Sequence, residues 1–327
     1  MPRVAIAMPV YNDEQYLALA LEGLCRQTDR DFALTVVDDG STDASAAVAE
    51  SFADRLPITV IRAEHRGLRT TKRAAVEASS PDAEFVLMHD ADIELPDDAI
   101  ERMVAMLDSD ANVAAVSATA RSVPSRRWGR GQAFFEYLVR HSLVNDRDES
   151  RGIVGGCVML RRTALAGIRL RVDINEDVDL SLQLRNRFKL MWPRDLVADH
   201  WGVPTTLRGI WNRGYRDGLR VRAIMRVHPK DFQLGTVARL VPLPLSAAMA
   251  IGALTLQPWL VGGAATVLAA YTAAFLYASR HVPGDLGTRL EGTALFLLSN
   301  FGFAAGFVRE SLSKPTDEEL SEPPRTG

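Results

Sequence analysis

The chain has 327 residues, with 38 Lys and Arg against 41 Asp and Glu, for a formal net charge of −3 at pH 7. With no basic excess there is no electrostatic footprint for a nucleic-acid partner. The two cysteines, Cys25 and Cys157, stand far apart in apolar settings. That excludes a disulfide framework or a cysteine metal site and reads as reduced core residues of a cytosolic compartment. No signal peptide is expected, because Arg3 leads directly into the strand-like Val4-Ala5-Ile6-Ala7-Met8.

Taken in order, the first two-thirds alternates β-rich runs with helix-like segments. Val4 to Val10 reads as a buried strand and Glu14 to Thr28 as a helix, with Leu17, Leu21 and Leu24 at helical spacing. Phe32 to Val37 is a strand, Ala44 to Phe52 a helix, Ile58 to Ile61 a strand and Thr70 to Ala78 a helix. Phe85 to Met88 is the next strand and Asp97 to Leu107 the next helix. Beyond the apolar Val113-Ala114-Ala115-Val116, the region from Ser117 to Ser150 is less regular. Gly155 to Arg162 reads as a turn into a strand, and Asn175 opens a helix that continues through Leu190, with Leu180, Leu184 and Phe188 on its buried face. This β-α-β-α order predicts an α/β fold with a mostly parallel sheet and flanking helices. Ligands of such sheets bind outside the C-terminal ends of the strands. The polar clusters Pro9–Asp13, Asp38–Asp43 and His89–Glu94 all fall at such ends and point to one composite site.

Asp90-Ala91-Asp92 has the most specific chemistry of these clusters. In an extended segment residues i and i+2 share a face, so the two carboxylates converge. Two such anions in a low-dielectric cleft remain ionised only around a cation. By itself the motif is equally well explained as a polar strand exit ahead of a helix start at Pro96-Asp97-Asp98.

From Leu240 to Ala278 there is no Asp, Glu, Lys or Arg. Val241 to Leu256 and Trp259 to Ala278 are apolar segments of about membrane-spanning length joined through Gln257-Pro258, which forces an antiparallel hairpin. Gly292 to Val308 is near the lower limit for a third span, or is interfacial. Arg208, Arg213, Arg216, Arg220, Arg222 and Arg226 crowd the approach to the first span, placing the N-terminal domain in the cytoplasm. Expected domains are 1–230, a membrane region 231–310 with two or three spans, three being preferred, and a disordered tail 311–327 rich in Pro, Glu and Ser.

Taken together, Pro9-Val10-Tyr11-Asn12, Val37 to Asp43, Asp90-Ala91-Asp92 and Glu176-Asp177 resemble the family 2 glycosyltransferases, inverting enzymes of the GT-A fold, over roughly Arg3 to Arg222. The resemblance implies that Pro9, Tyr11 and Asp39 hold the base and ribose of a UDP- or GDP-linked sugar, with Asp38 instead free to cap the following helix. It implies that Asp92 binds Mn²⁺ or Mg²⁺, that Asp90 contacts the ribose or the metal, and that the cation bridges the donor's phosphates. Asp177 matches the general base that takes the acceptor proton as the acceptor oxygen attacks the anomeric carbon, with Glu176 orienting the site. His200 matches a third metal ligand. Lys72 stands where the family often has Arg, in Gly67 to Arg73, and keeps a cation for the base or diphosphate. Arg216 matches a diphosphate clamp of processive members. The Trp that follows in those members is Asp217 here, which implies addition of a single sugar.

The membrane segment makes a polyprenyl phosphate or glycolipid the expected acceptor. A nucleotidyltransferase shares the sheet and the metal logic but usually carries a glycine-rich first loop, which Pro9 to Asp13 lacks. A non-catalytic membrane scaffold that binds nucleotide-sugar is the alternative outside enzyme chemistry.

Overall fold

A computed structural model describes residues 1–124, 127–153, 156–168, 176–228, 239–278, 280 and 284–313. Its elements begin with β1 (Val4–Val10), α1 (Glu14–Cys25), β2 (Phe32–Asp38), α2 (Ser45–Glu50), β3 (Ile58–Arg62), α3 (Leu68–Ala78) and β4 (Phe85–His89). They continue with β5 (Ile93–Glu94), α4 (Ala99–Ser109), β6 (Val113–Ser117), β7 (Thr119–Ser122), α5 (Gly129–Leu143), β8 (Glu149–Ser150) and β9 (Cys157–Arg161). The remainder is α6 (Glu176–Leu184), β10 (Lys189–Met191), β11 (Val197–His200), α7 (Leu207–Val227), α8 (Pro242–Leu254), α9 (Pro258–Ala278) and α10 (Leu286–Ser311). By contacts the chain divides into an α/β unit, residues 1–121 and 143–202, and a helical unit built on 122–142 and 203–320.

Every residue of β1 is buried, as expected of a strand covered on both faces. β1 pairs in parallel with β2, where Val10 stands opposite Asp38, and with β4, where Ala7 stands opposite Met88. The C-terminal ends of β1, β2 and β4 therefore finish side by side, each running into one of the polar clusters. Among the described residues the main sheet has the order β3-β2-β1-β4-β9-β6-β10-β8, and a smaller sheet has the order β5-β11-β7. Antiparallel β9 sits between β4 and β6, so the sheet is mostly, not wholly, parallel.

Two expectations change. The helix opened at Glu176 stops at Leu184, and Lys189–Met191 pairs with β6 as a strand. Phe188 continues the helical spacing of Leu180 and Leu184, but β6 offers the following Lys189–Met191 backbone partners that a helix would forgo. Asp90 to Ile93 is a turn, not an extended segment: the Ile93 N–H donates to the Asp90 carbonyl at 3.3 Å. The two carboxylates therefore meet different partners. The 230/231 boundary, the side chain of Glu176 and the tail from Lys314 lie outside the described residues.

In the helical unit α7 and α10 run in the same direction with their backbones in contact. Gly214 faces the carbonyl of Ser299 and Gly218 that of Phe303, while Gly302 faces Trp211 and Gly306 faces Tyr215. A Cβ at any of these four glycines would overlap the facing carbonyl. Arg226 pairs with Glu310 at 2.7 Å, Arg222 donates to Ser311 Oγ at 3.0 Å and Arg309 to Tyr215 Oη at 2.7 Å. Among the described residues two helices, Pro258–Tyr277 and Leu286–Ser311, are long and apolar enough to cross a membrane. The Val241–Leu256 segment instead yields the 13-residue α8, which rises only ~20 Å against a hydrocarbon core of ~30 Å.

Candidate active site

The turn after β4 is held from three directions. His89 is fully buried, and burial pushes its pKa down to about 4. It is therefore neutral near pH 7, and Nδ1–H donates to the Asp90 carbonyl at 2.8 Å. The Asp90 N–H donates to the carbonyl of Gly156 at 2.8 Å. The buried Lys72, on α3, places Nζ 3.0 Å from Asp90 Oδ1. A lysine so deep in the fold keeps its charge only with a partner, and Asp90 is that partner.

Asp92 takes a different one. β5 pairs with β11 so that His200 stands opposite Ile93 and Asp199 opposite Glu94. The register continues through the Trp201 N–H, which donates to the Asp92 carbonyl at 2.9 Å, and the indole N–H of Trp201, which donates to Glu94 at 3.0 Å. His200 Nε2 thereby lies 3.3 Å from Asp92 Oδ2. Burial alone would raise the Asp92 pKa, but the hydrogen bond and charge of His200 outweigh it and hold the carboxyl below its ordinary value. Gly202 faces this pair so closely that a Cβ there would overlap Asp92 Oδ2.

Asp13, at the end of the β1 loop, is a member of the site that sequence reasoning missed. Its pKa is raised to about 6, first by burial and then by the charges of Asp92 and Asp43, against the Tyr11 N–H that donates to it. The Pro9–Asp13 cluster pointed to this loop, but as a place for a nucleotide, not for a half-buried carboxyl that feels the charge of Asp92.

The loop from β3 to α3 shapes the other side. Asp39 is buried, and its carboxylate accepts from the N–H groups of Arg66 at 2.8 Å and Gly67 at 3.0 Å. His65 Nδ1 lies 3.0 Å from the same carboxylate, and the imidazole stacks on Tyr11 with ring centroids 4.2 Å apart. Gly40, at φ +72°, makes the sharp turn, and a Cβ there would come within 2.9 Å of the His65 nitrogen. Asp38 accepts the Ser41 N–H at 3.1 Å and so caps the turn ahead of α2. Tyr11 and His65 together form a partly exposed aromatic platform at the sheet edge.

Asp177 lies in the first turn of α6, where its Oδ1 accepts the Val178 N–H at 2.8 Å. Ser181 Oγ joins the Asp177 carbonyl to the Ile153 N–H, at 2.5 and 2.9 Å. Asp179 is buried and accepts from Gln183 at 3.0 Å, a helix-internal role. Arg216 belongs to α7 in the helical unit. The structure thus brings together Asp13, Lys72, Asp90, Asp92 and His200. Among the described residues no three of His, Cys, Asp and Glu form a ready metal cluster. Asp92 and His200 are nevertheless an ionised carboxylate and an imidazole in contact. That donor pair suits a hard divalent cation that completes its shell with other oxygens.

A mostly parallel sheet with one inserted antiparallel strand, and acidic side chains at the strand ends, defines a GT-A-type α/β fold. The same fold is seen over 95% of this chain and 87% of that chain in the mannosyltransferase PcManGT from Pyrobaculum calidifontis, in complex with GDP-Man and Mn²⁺, at TM-score 0.60 and 20% identity. It is also seen in Staphylococcus aureus TarS 1–349 in complex with UDP-GlcNAc, over 95% of this chain and 92% of that chain, at TM-score 0.52 and 16% identity. The chain belongs to glycosyl transferase family 2, whose sequence profile matches residues 5–169. It is 34% identical over 132 residues, 38% of each chain, to the undecaprenyl-phosphate 4-deoxy-4-formamido-L-arabinose transferase of Pseudomonas fluorescens. A similar stretch is 35% identical over 104 residues to the putative glycosyltransferase EpsH of Bacillus subtilis, covering 32% of this chain and 30% of that one. The matched segments thus span about a third of these curated relatives.

Proposed function

We propose that the protein transfers a single sugar from a UDP- or GDP-linked donor to a membrane acceptor, polyprenyl phosphate or a glycolipid, at the cytoplasmic face, with inversion at the anomeric carbon. The observation that carries this reading is the pairing of Asp92 with His200 beside the Lys72–Asp90 ion pair, at the edge where β1 and β4 end. Family membership supports the chemistry. The apolar helices and the undecaprenyl-phosphate relative support a lipid acceptor, since a soluble acceptor gives no reason to hold the site at a bilayer.

Each group has a task that its chemistry suits. Tyr11, with His65 stacked on it, offers the nucleobase a flat face, and the buried Pro9 lies near the end of β1 just before it. Asp39 keeps the loop behind that platform in place and stands at the ribose end. Lys72 brings a positive charge for the donor's diphosphate while orienting Asp90 towards the ribose or the metal. Asp92 and His200 would hold Mn²⁺ or Mg²⁺, with Asp90 nearby. A cation held there would supply positive charge for the departing nucleoside diphosphate. Asp177 takes the acceptor's proton, from the hydroxyl of a glycolipid or from a singly ionised polyprenyl phosphate, Glu176 next to it orients the site, and Arg216 is assigned to the diphosphate.

The test is release of nucleoside diphosphate by full-length protein in detergent, with a panel of UDP- and GDP-sugars and a lipid extract. Turnover should depend on the metal and on the lipid, and Asp177→Asn should lower it ~10²- to 10⁴-fold, the usual worth of a general base. No release with any donor, or full activity in the variant, would defeat the assignment.

A further inference from the structure

The helical unit contains two helices of spanning length and composition, but they are packed in opposite ways. Only 6% of the apolar stretch of α9 is buried, whereas half of that of α10 is. α10 is buried against the most charged helix of the unit. α7 carries Arg208, Arg213, Arg216, Asp217, Arg220, Arg222 and Arg226, and each such charge is costly at a bilayer centre. The four glycines lock the two backbones together over Trp211–Gly218 and Ser299–Gly306, and the Arg226–Glu310 pair extends that contact to the ends. The depth of α10 is therefore the depth of α7. A cleft lined by Gln132, Glu136, Arg213 and Asp217 is completed by Phe296 and Ser299 of α10. Asn300, fully buried in α10, accepts from Arg239 Nε at 3.1 Å. Charged groups of α7 and Arg239 thus lie against α10 beside the apolar Ile210, Leu295 and Phe296. The uncharged run between Glu291 and Arg309 is also only ~25 Å long at 1.5 Å per residue.

The hairpin of α8 and α9 has the opposite character. It carries no charged residue from Leu240 to Ala278, and Ile251, Leu254, Leu256, Trp259 and Val267 are all exposed. Its base is fastened to α10: Phe275 stacks on Phe296 at 4.1 Å, and Asn300 Nδ2 donates to Tyr271 Oη at 3.1 Å. Both arms meet at a tip at Thr255–Gln257; α8 rises ~20 Å and the 21-residue α9 ~31 Å. An apolar projection of this kind, flanked by arginines, fits a lipid bilayer with an anionic surface.

We infer that the chain enters the membrane only through the α8–α9 hairpin, which leaves on the side it entered. α10 lies on α7 outside the hydrocarbon, and the C-terminus is on the same side as the α/β unit. The inference rests on the membrane attachment proposed above and replaces the expected third span.

Epitopes placed before Met1 and after Gly327 test it in a bacterial host. Proteinase K should remove both from inverted membrane vesicles and neither from intact spheroplasts. Loss of the Gly327 epitope from intact spheroplasts would overturn the inference and leave membrane attachment standing. Release of the unaltered chain from membranes by alkaline carbonate would overturn the attachment itself, and the inference with it. The double variant Leu254→Glu, Leu256→Glu changes two exposed side chains and should move the folded chain from the carbonate pellet to the supernatant. Unchanged retention would remove the hairpin as the inserted element.

Discussion

Glycine does opposite work in the two units. In the α/β unit Gly202 leaves room for one carboxylate, so that Asp92 can sit against His200 at 3.3 Å. In the helical unit Gly214, Gly218, Gly302 and Gly306 let two backbones touch. The first position shapes a site, and its loss should cost chemistry more than stability. The others bury helix surface, and their loss should cost stability. The same residue type is thus functional or structural according to whether a reactive side chain or a backbone carbonyl fills the space it leaves.

The comparison can be broken most sharply at Gly202. Gly202→Ala displaces the Asp92 carboxylate and should lower turnover ~100-fold, the scale of a misplacement of about 1 Å in a reacting site, while the melting temperature changes little. A steady-state assay beside a thermal melt decides it, and a large loss of melting temperature with proportionate activity would erase the contrast. Gly218→Val is the counterpart. Overpacking there should destabilise the chain by ~1–3 kcal/mol, read as an earlier melt in detergent, with donor turnover below the melting transition retained. His200→Ala sharpens the first half. It removes an imidazole from Asp92, so the Mn²⁺ concentration for half-maximal activity should rise ~10-fold, the lower end for loss of a metal-site partner.

The smallest effect expected concerns Asp13. Its carboxyl titrates near pH 6 in the folded chain and at ~3.9 when unfolded. Between these values the folded chain holds a proton that the unfolded chain has released, so this group's contribution to stability falls as pH rises through the window. Asp13→Asn should therefore melt like the parent at pH 4 and later than the parent at pH 8. An equal difference at both pH values would show that the burial of Asp13 has no electrostatic cost.

Membrane sidedness extends the comparison to whole helices. α9 has neighbours on little of its surface, whereas α10 is half buried, although composition makes them look alike. Hydropathy counts what a helix carries, while packing decides what it touches.

Much of the α/β unit was legible in the sequence because its strands are long. β1 and most of β2 are continuous apolar runs, which mark strands buried on both faces, and the polar residues that end them mark the sheet edge without any tertiary information. Asp39, Asp90 and Asp92 were located that way, and the resemblance to a family assigned them roles. The charge-free stretch from Leu240 to Ala278 was equally plain.

Tertiary structure alone decided the partners. β5 and β11 have two and four residues, too short for alternation to show, yet their pairing brings His200 to Asp92 across more than a hundred positions. The helical spacing of Leu180, Leu184 and Phe188 carried the expected helix on to Leu190, but Lys189–Met191 pairs with β6 as a strand. The lysine against Asp90, the raised carboxyl of Asp13, the room left by Gly202 and the burial of α10 on α7 all depend on segments that are distant in the chain. Local periodicity reports which face of an element is apolar. It carries no information about what that face, or a charge beside it, will meet.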